Sequence, residues 1–406
     1  MNDLLIPMNI LVVDTIHGGT EISRHLLSNG HAVDTVDVYR GEGSITVDEA
    51  LTRTYDIVAA PVHLDPDHPL MHLTAEYRTH HQMIPFCLGD VRPRCMVEIT
   101  GARGKTTTAH ALASIVPGRG VLLSSIGITE YPSRANAGKK SITPASTIHA
   151  ASVAIASGGW LVAEESIGVS GMGDLGILTS EDDYLCAGGK KHASALKKEL
   201  LLSCKKILAA PGIVWHDERV IHAEDMVSCD GTTCTWSYGG EEDSFTNSLM
   251  VLPAYRNAME TAAAAACILG FRPDRLSEFT ALPGRLQVHH HGSSVIIDDA
   301  NSGTSRKTVP EAVRYGRSML PEAPLILVIG AEAENICEGF SLADIKQVID
   351  STDPDSIILV GDIYPEDAAA YLSHPCVHVS SLARGEELAK TLSDTGVIVL
   401  AVKTWR

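Results

Sequence analysis

Residues 96–110 read MVEITGARGKTTTAH, and the rest of the chain is interpreted outward from them. Residues 96–99 predict a buried parallel strand, and 105–115 a helix that Pro117 and Gly118 end. Between the two, Gly101 and Gly104 let the backbone turn its N–H groups toward an anion without interference from a Cβ. The helix N-terminus adds a partial positive charge at the same place. Gly101, Ala102, Arg103, Gly104, Lys105, Thr106 and Thr107 therefore form a candidate phosphate cradle. Lys105 is expected to reach the terminal phosphates of a nucleotide, and the Thr106 hydroxyl is placed for a magnesium ion. The spacing is compressed relative to the ordinary Walker pattern: Ile99 stands where a glycine would lie five residues before Gly104.

The compressed spelling Thr-Gly-x-x-Gly-Lys-Thr-Thr resembles the Mur ligase superfamily, ATP-dependent enzymes that activate a carboxylate as an acyl phosphate. The resemblance implies an α/β fold with a three-domain Mur-ligase-like architecture, in which a central P-loop ATPase domain stands between two smaller Rossmann-like α/β domains. The expected division is 1–93 for an N-terminal substrate-binding domain, 94–284 for the ATP-binding domain and 285–406 for a C-terminal Rossmann-like domain.

Composition agrees with such an enzyme. The 406 residues allow two or three domains with substantial cores. No run of apolar residues is long enough to span a bilayer, and residues 1–9 lack the basic start and small-residue cleavage site of a signal peptide, so a cytoplasmic location is expected. The nine cysteines are scattered with no Cys-x-x-Cys pair, which predicts reduced thiols and neither a disulfide framework nor a zinc site. With 32 Lys plus Arg against 50 Asp plus Glu, the net charge of −18 argues against nucleic acid or an anionic membrane as partner. An anionic substrate then requires a local basic patch.

The first 93 residues alternate strand and helix: strands over 9–14, 32–38 and 56–60, a helix over 20–28, and no Gly-x-Gly-x-x-Gly. They carry eight of the eighteen histidines, at positions 17, 25, 31, 63, 68, 72, 80 and 81, together with Arg24, Arg40, Arg53, Arg78 and Arg92, and Arg94 follows directly. Two readings stand open, a solvated surface or a docking face for a polycarboxylate. Farther on, residues 160–163 form a strand that ends in Glu164-Glu165, where one carboxylate can face a nucleotide's magnesium. Strands over 121–124 and 176–179, helices over 146–156 and 192–203, a β-hairpin excursion over 226–247 and a small-residue helix after Pro253 complete this part.

Further roles follow from the resemblance alone. The family's Glu-x-Ser selects Glu164 as a magnesium ligand. The family's Asp-His pair, followed by a carbamylated lysine, implies a site for a second magnesium in which Asp183 stands in place of the missing histidine and Lys198 is the modified lysine; an ordinary exposed lysine is the alternative. The asparagine that contacts adenine corresponds to Asn257, which can equally be a helix cap. Pro283-Gly284-Arg285 matches the family's interdomain Pro-Gly-Arg and makes Arg285 a phosphate or ribose contact. Asp298 is the corresponding ribose or hinge contact. Catalysis is thus expected from Lys105, Glu164, Lys198 and Arg285, with ATP and Mg2+ as cofactors. The final domain is expected to be a second doubly wound sheet, including a helix over 366–372.

The last domain lacks the Asp-Asn-Pro-Arg stretch with which amino-acid-adding members hold their second substrate; residues 331–335 read AEAEN instead. Among compact members, the chain most resembles the coenzyme F(430) synthetase family of methanogenic archaea. That resemblance implies activation of a propionate on a nickel tetrapyrrole polycarboxylate (seco-F(430)), then intramolecular C–C closure to F(430), with nickel present only as part of the substrate. An amide ligase joining an amine to a carboxylate, and a P-loop regulator that binds ATP without ligation, are the alternatives.

Overall fold

The computed structural model describes residues 6–39, 43–332, 340–361, 364 and 368–404. The chain divides into two compact units, Met1–Phe279 and Thr280–Arg406. The expected boundary at 93/94 falls inside the first unit, between two separate sheets.

The first of these sheets has four parallel strands in the order Ala32–Val36, Asn9–Val13, Ile57–Ala60, Glu76–Thr79. Its two inner strands, NILVV and IVAA, are apolar because helices and loops cover both faces. Ile22 and Leu26 of the helix Thr20–Ser28, and Met83 and Ile84 of His80–Leu88, pack in one core with Ile148, Ala151 and Ala154 of Pro144–Ala156. That last helix lies against the second sheet, so the two sheets share a helical layer.

The second sheet has eight strands, in the order Val220–His222, Ile207–Ala209, Leu175–Leu178, Met96–Thr100, Trp160–Glu164, Gly120–Ser124, Gly127–Tyr131, Ala135–Asn136. All neighbours are parallel except at the edge formed by the last two strands. Chain order reverses direction at Met96–Thr100: the next strand, Gly120–Ser124, lies to one side and Leu175–Leu178 to the other. Lys105–Ile115 packs on Pro253–Leu269, where Ala109 and Ala113 meet the alanines of 262–266 at close range. A three-stranded antiparallel excursion (Val227–Asp230, Thr233–Tyr238, Glu241–Thr246) occupies the predicted hairpin region.

The reduced-thiol expectation is corrected there. Cys229 and Cys234 sit directly opposite each other in the hairpin register and are joined by a disulfide. Among the described residues Cys87, Cys95, Cys186, Cys204, Cys267 and Cys376 are free.

The second unit is a six-stranded sheet, ordered Gln287–His291, Ser294–Asp298, Val397–Lys403, Leu325–Ala331, Ser356–Val360, Cys376–Val379, parallel except for its first strand. Of the helix expected over 366–372, residues 366–367 lie outside the described ones and Ala368–Leu372 is helical. Residues 333–335 of the sequence AEAEN, and Arg40, also lie outside them. No helix among the described residues is long and apolar enough to cross a membrane.

Candidate active site

In open α/β sheets ligands bind beyond the carboxyl ends of the strands, where chain order reverses. In the eight-stranded sheet that place is the loop after Met96–Thr100. Gly101 has φ +147°, and a Cβ there would stand 2.2 Å from Thr179 Oγ1; Gly104 precedes the helix with φ +82°. The loop is pinned from the neighbouring strand's end. Thr179 Oγ1 lies 2.6 Å from the Arg103 carbonyl, and Ser180 Oγ accepts from the amides of Ala102 (2.9 Å) and Arg103 (3.0 Å). Those two amides, expected to face an anion, are therefore directed to a side chain of the protein. The Arg103 guanidinium pairs with Asp182 at 2.7 Å. Lys105 Nζ donates to Gly101 O at 2.9 Å and so lies back across the loop. Thr179 and Ser180 were not singled out from the sequence; the only signal was their position at the end of the adjacent predicted strand.

Beside the loop, Thr106 Oγ1 donates to Glu164 Oε1 at 2.9 Å and lies 3.0 Å from Ser125 Oγ, while Ser125 N donates to Glu164 Oε2 at 2.9 Å. A hydroxyl and a carboxylate held together in a nearly buried spot form an oxygen donor set that suits magnesium. With the glycine-walled loop and Lys105 adjacent, these residues fit a nucleotide and its cation.

Glu165, the next residue, points the other way, as strand alternation requires. It is fully buried beside Glu98, which accepts 2.8 Å hydrogen bonds from the amides of Ser170 and Gly173. Burial first, and the charge of Glu98 second, raise the Glu165 carboxyl well above the ordinary 4.5. The folded protein thus keeps a proton that the unfolded chain loses. Stability from this group is complete below about pH 4.5 and declines as pH rises toward the folded value. Glu165→Gln, which mimics the protonated carboxyl, is expected to keep turnover near wild type and to narrow the loss of Tm on going from pH 5 to 9. Thermal melts across that range check this; a Tm difference independent of pH would refute the protonated assignment.

Of the two adjacent lysines on the helix Ala193–Leu201, the structure turns Lys197 rather than Lys198 inward. Lys198 pairs with Glu181 and lies 5.4 Å from the Trp215 ring centre. Lys197 is 1% exposed, its Nζ has no hydrogen-bond partner among the described residues, and it sits 4.8 Å from the Tyr184 ring centre. Burial, and then the charge of Lys105, lower its ammonium to about 8. Of the two, Lys197 is the buried amine without a hydrogen-bond partner among the described residues, and Lys198 the paired one. Asp183 stands close by but is engaged. Its Oδ1 accepts from Ser194 N (2.9 Å) and its Oδ2 lies 2.5 Å from His192 Nδ1, contacts that hold its carboxyl below the ordinary range. As a metal ligand it would have to release one of them.

Asn257 is the fifth residue of Pro253–Leu269, whose N-cap is Leu252, so the capping alternative does not apply. Its Nδ2 donates to Pro211 O at 3.1 Å, just beyond the strand Ile207–Ala209 of the eight-stranded sheet. In the second unit Asn301 Nδ2 donates to Gly284 O at 2.7 Å, and Asn301 Oδ1 lies 3.5 Å from Arg285 Nη1, so the Pro-Gly-Arg turn is tied to the segment 298–301. Asp298 Oδ1 accepts from Ala300 N at 3.1 Å. The next residue, Asp299, is pushed up to about 7 by burial, against the opposing charge of Arg285.

The histidine and arginine set of 1–93 is divided. His80 and His81 are buried and bonded to Val13 O (2.9 Å) and Ser166 O (3.0 Å), so they belong to the core and not to a docking face. Arg53 and Arg78 pair with Asp34 (2.9 Å) and Glu76 (2.8 Å).

The family model described as "Coenzyme F430 synthetase CfbE, C-terminal domain" matches residues 288–404. Over its whole length the chain is similar to coenzyme F(430) synthetase of Methanosarcina acetivorans: 30% identical, covering 99% of this chain and 100% of that protein. The chain belongs to the coenzyme F(430) synthetase family. Its fold is similar to that of a bifunctional folylpolyglutamate synthase/dihydrofolate synthase whose structure has Mn, AMPPNP and L-glutamate bound (TM-score 0.58, 15% identity, 80% of this chain and 91% of that one). It is likewise similar to MurF from Acinetobacter baumannii (TM-score 0.54, 11% identity, 98% and 87%). The Mur-ligase fold expected from the compressed P-loop is therefore the fold of this family member, and family and fold are those of ATP-dependent ligases.

Proposed function

We propose that the chain is an ADP-forming ligase that uses ATP to activate a propionate side chain of a nickel-containing reduced tetrapyrrole, seco-F(430), and closes a carbocycle by intramolecular C–C bond formation to give coenzyme F(430). The observation that carries this reading is the end-to-end relationship to a coenzyme F(430) synthetase. The cradle at 101–107 and the adjacent Thr106–Glu164 pair support it chemically. Residues 1–93 are the proposed substrate-binding part and 94–284 the ATP-binding part, in a cytoplasmic step of F(430) biosynthesis.

In the proposed reaction a propionate oxygen attacks the γ-phosphorus of ATP, the bond to the β-phosphate oxygen breaks, and ADP leaves. An enamine-like ring carbon then attacks the acyl carbon, phosphate departs and the attacking carbon loses a proton. Lys105 swings from Gly101 O to offset charge on the transferring phosphoryl group. Thr106 and Glu164 would hold a magnesium ion, which when bound neutralises charge on the phosphate oxygens. Arg285 and Asp298 are proposed as phosphate and ribose contacts, Asn257 as the adenine contact, and Lys197, with Asp183, as the position for a second cation.

An intramolecular nucleophile needs no second binding site, because its effective concentration is built into the substrate. This agrees with residues 331–335, which offer two acids and no arginine fork for an incoming amino acid. Incubation with seco-F(430), ATP and magnesium in amine-free buffer is expected to yield one ADP and one phosphate per product, and a product one water lighter than the substrate. If the mass stays unchanged until an amine is added, and then rises by that amine less water, the chain is an amide ligase. Nucleotide binding with no carboxylate-dependent turnover would instead identify a regulator.

A further inference from the structure

The four-stranded sheet has its own reversal of chain order, between Asn9–Val13 and Ile57–Ala60. Three metal-ligating side chains converge at the carboxyl ends of these two strands. Asp14 follows the first strand, His17 lies in the turn after it, and His63 comes three residues beyond the second. One donor atom from each of the three lies within 4.8 Å of the other two. The cluster is built by the fold. Asp14 is fully buried and adopts φ +73°, a conformation that a side chain with a Cβ seldom takes, while its Oδ1 accepts from the amides of Ile16 (2.9 Å) and His17 (3.3 Å). Oδ2 is thereby turned toward His17 Nδ1, at 2.5 Å, and His63 Nε2, at 3.7 Å. Tyr39 backs the two rings, 5.5 Å from His17 and stacked 6.0 Å from His63 between centres.

One contact in this arrangement is unsatisfied. Asp14 and His17 satisfy each other through their hydrogen bond. His63 Nε2 is buried without a hydrogen-bond partner among the described residues, and 3.7 Å is too far for one to Asp14. As a lone pair it faces a carboxylate; as an N–H it reaches nothing. A cation placed among the three atoms removes both difficulties.

We propose that Asp14, His17 and His63 bind a first-row divalent transition cation of the Zn2+, Co2+ or Ni2+ type. Two imidazoles exclude magnesium as the preferred ion, and three protein ligands leave coordination positions open to water or to a carboxylate. With metal–ligand bonds of about 2.0–2.1 Å in tetrahedral geometry, donors stand about 3.3 Å apart, so binding separates Asp14 from His17 by under 1 Å. Nickel already inside a macrocycle is a different species: its equatorial positions are filled, and three donors arriving from one side cannot all reach it. The site is thus independent of the proposed cyclisation.

Co2+ is the probe. Titrated into the full chain without nucleotide, one equivalent is expected to produce visible d–d absorption and hyperfine-shifted imidazole N–H resonances in 1H NMR, neither displaced by excess Mg2+. His63→Ala and His17→Ala should each weaken Co2+ binding at least about 100-fold, since losing a ligand costs no less than losing a partner behind it. Glu164→Gln should leave the signal intact, which separates this site from the P-loop. Circular dichroism establishes folding of each variant. If His63→Ala does not fold, His17→Ala decides, because its side chain is the more exposed of the two, 36% against 24%. Absence of a one-equivalent signal in the wild type, or its persistence in a folded histidine variant, overturns the proposal.

Discussion

Lys105→Ala is expected to lower kcat at least about 10²-fold, the scale of one lost transition-state donor, while the protein stays folded. The two halves of this expectation have separate physical grounds. The fold does not depend on the ammonium group, because the loop is shaped by the positive φ of Gly101 and Gly104 and pinned by Thr179 and Ser180. The Lys105 bond to Gly101 O joins a loop residue to the first residue of its own helix and adds little to a conformation already fixed. Turnover does depend on it, because charge grows on the transferring phosphoryl oxygens and a nearby cation is worth more there than in the ground state. Lys105→Arg is a poor substitute: the guanidinium is wider, planar and demands two acceptors in one plane. ADP release at saturating ATP, beside circular dichroism and Tm of the same preparation, checks both halves. Turnover near that of wild type would remove Lys105 from the phosphate site.

The shape of the loop at 101–104 was legible from sequence because its determinants are local. Two glycines, a lysine and a threonine at fixed spacing after an apolar run specify a turn whose geometry needs no distant partner. Glu164 and Glu165 were equally legible once a motif fixed the phase, since one step along a strand reverses the side chain. A helix is less forgiving. A single residue turns the direction by about 100°, so counting from Asp183 to Lys198 cannot tell which of two adjacent lysines the helix turns inward. What separates Lys197 from Lys198 is tertiary: Tyr184 and Lys105 on one side, Glu181 and Trp215 on the other. The strand Gln287–His291 was missed for a related reason. Its three consecutive histidines show no alternation, and it exists because Ser294–Asp298 offers an antiparallel partner at the sheet edge. The Cys229–Cys234 bridge depends on hairpin register, which residue spacing alone does not specify.

Lys197→Ala is expected to abolish most turnover, again by about 10²-fold or more, whereas Lys198→Ala should leave kcat within about threefold of wild type. Lys198 already has its counter-charge in Glu181, and a partly exposed pair of this kind contributes about 0–1 kcal/mol to stability. Lys197 has no hydrogen-bonded counter-charge among the described residues, and burial together with the charge of Lys105 outweighs the opposing charges of Asp183 and Asp182, so its ammonium is unfavourable as it stands. Its value of about 8, against 10.5 for an ordinary lysine, gives an appreciable neutral fraction near pH 7.5. The neutral amine can add to carbon dioxide: the Nζ–C bond forms, one proton leaves, and the side chain changes from a cation to a carbamate anion. Repulsion from Lys105 then becomes attraction, and the position acquires two oxygens able to accept a second magnesium beside Asp183. With 13C-labelled bicarbonate, a carbamate carbon signal is therefore expected in wild type and in Lys198→Ala and not in Lys197→Ala. Small carboxylic acids should restore part of the lost turnover to Lys197→Ala by placing an anion in the vacated space. A carbamate signal that survives in Lys197→Ala and vanishes in Lys198→Ala would return the assignment to Lys198, and with it require the helix Ala193–Leu201 to rotate by one residue from the orientation described.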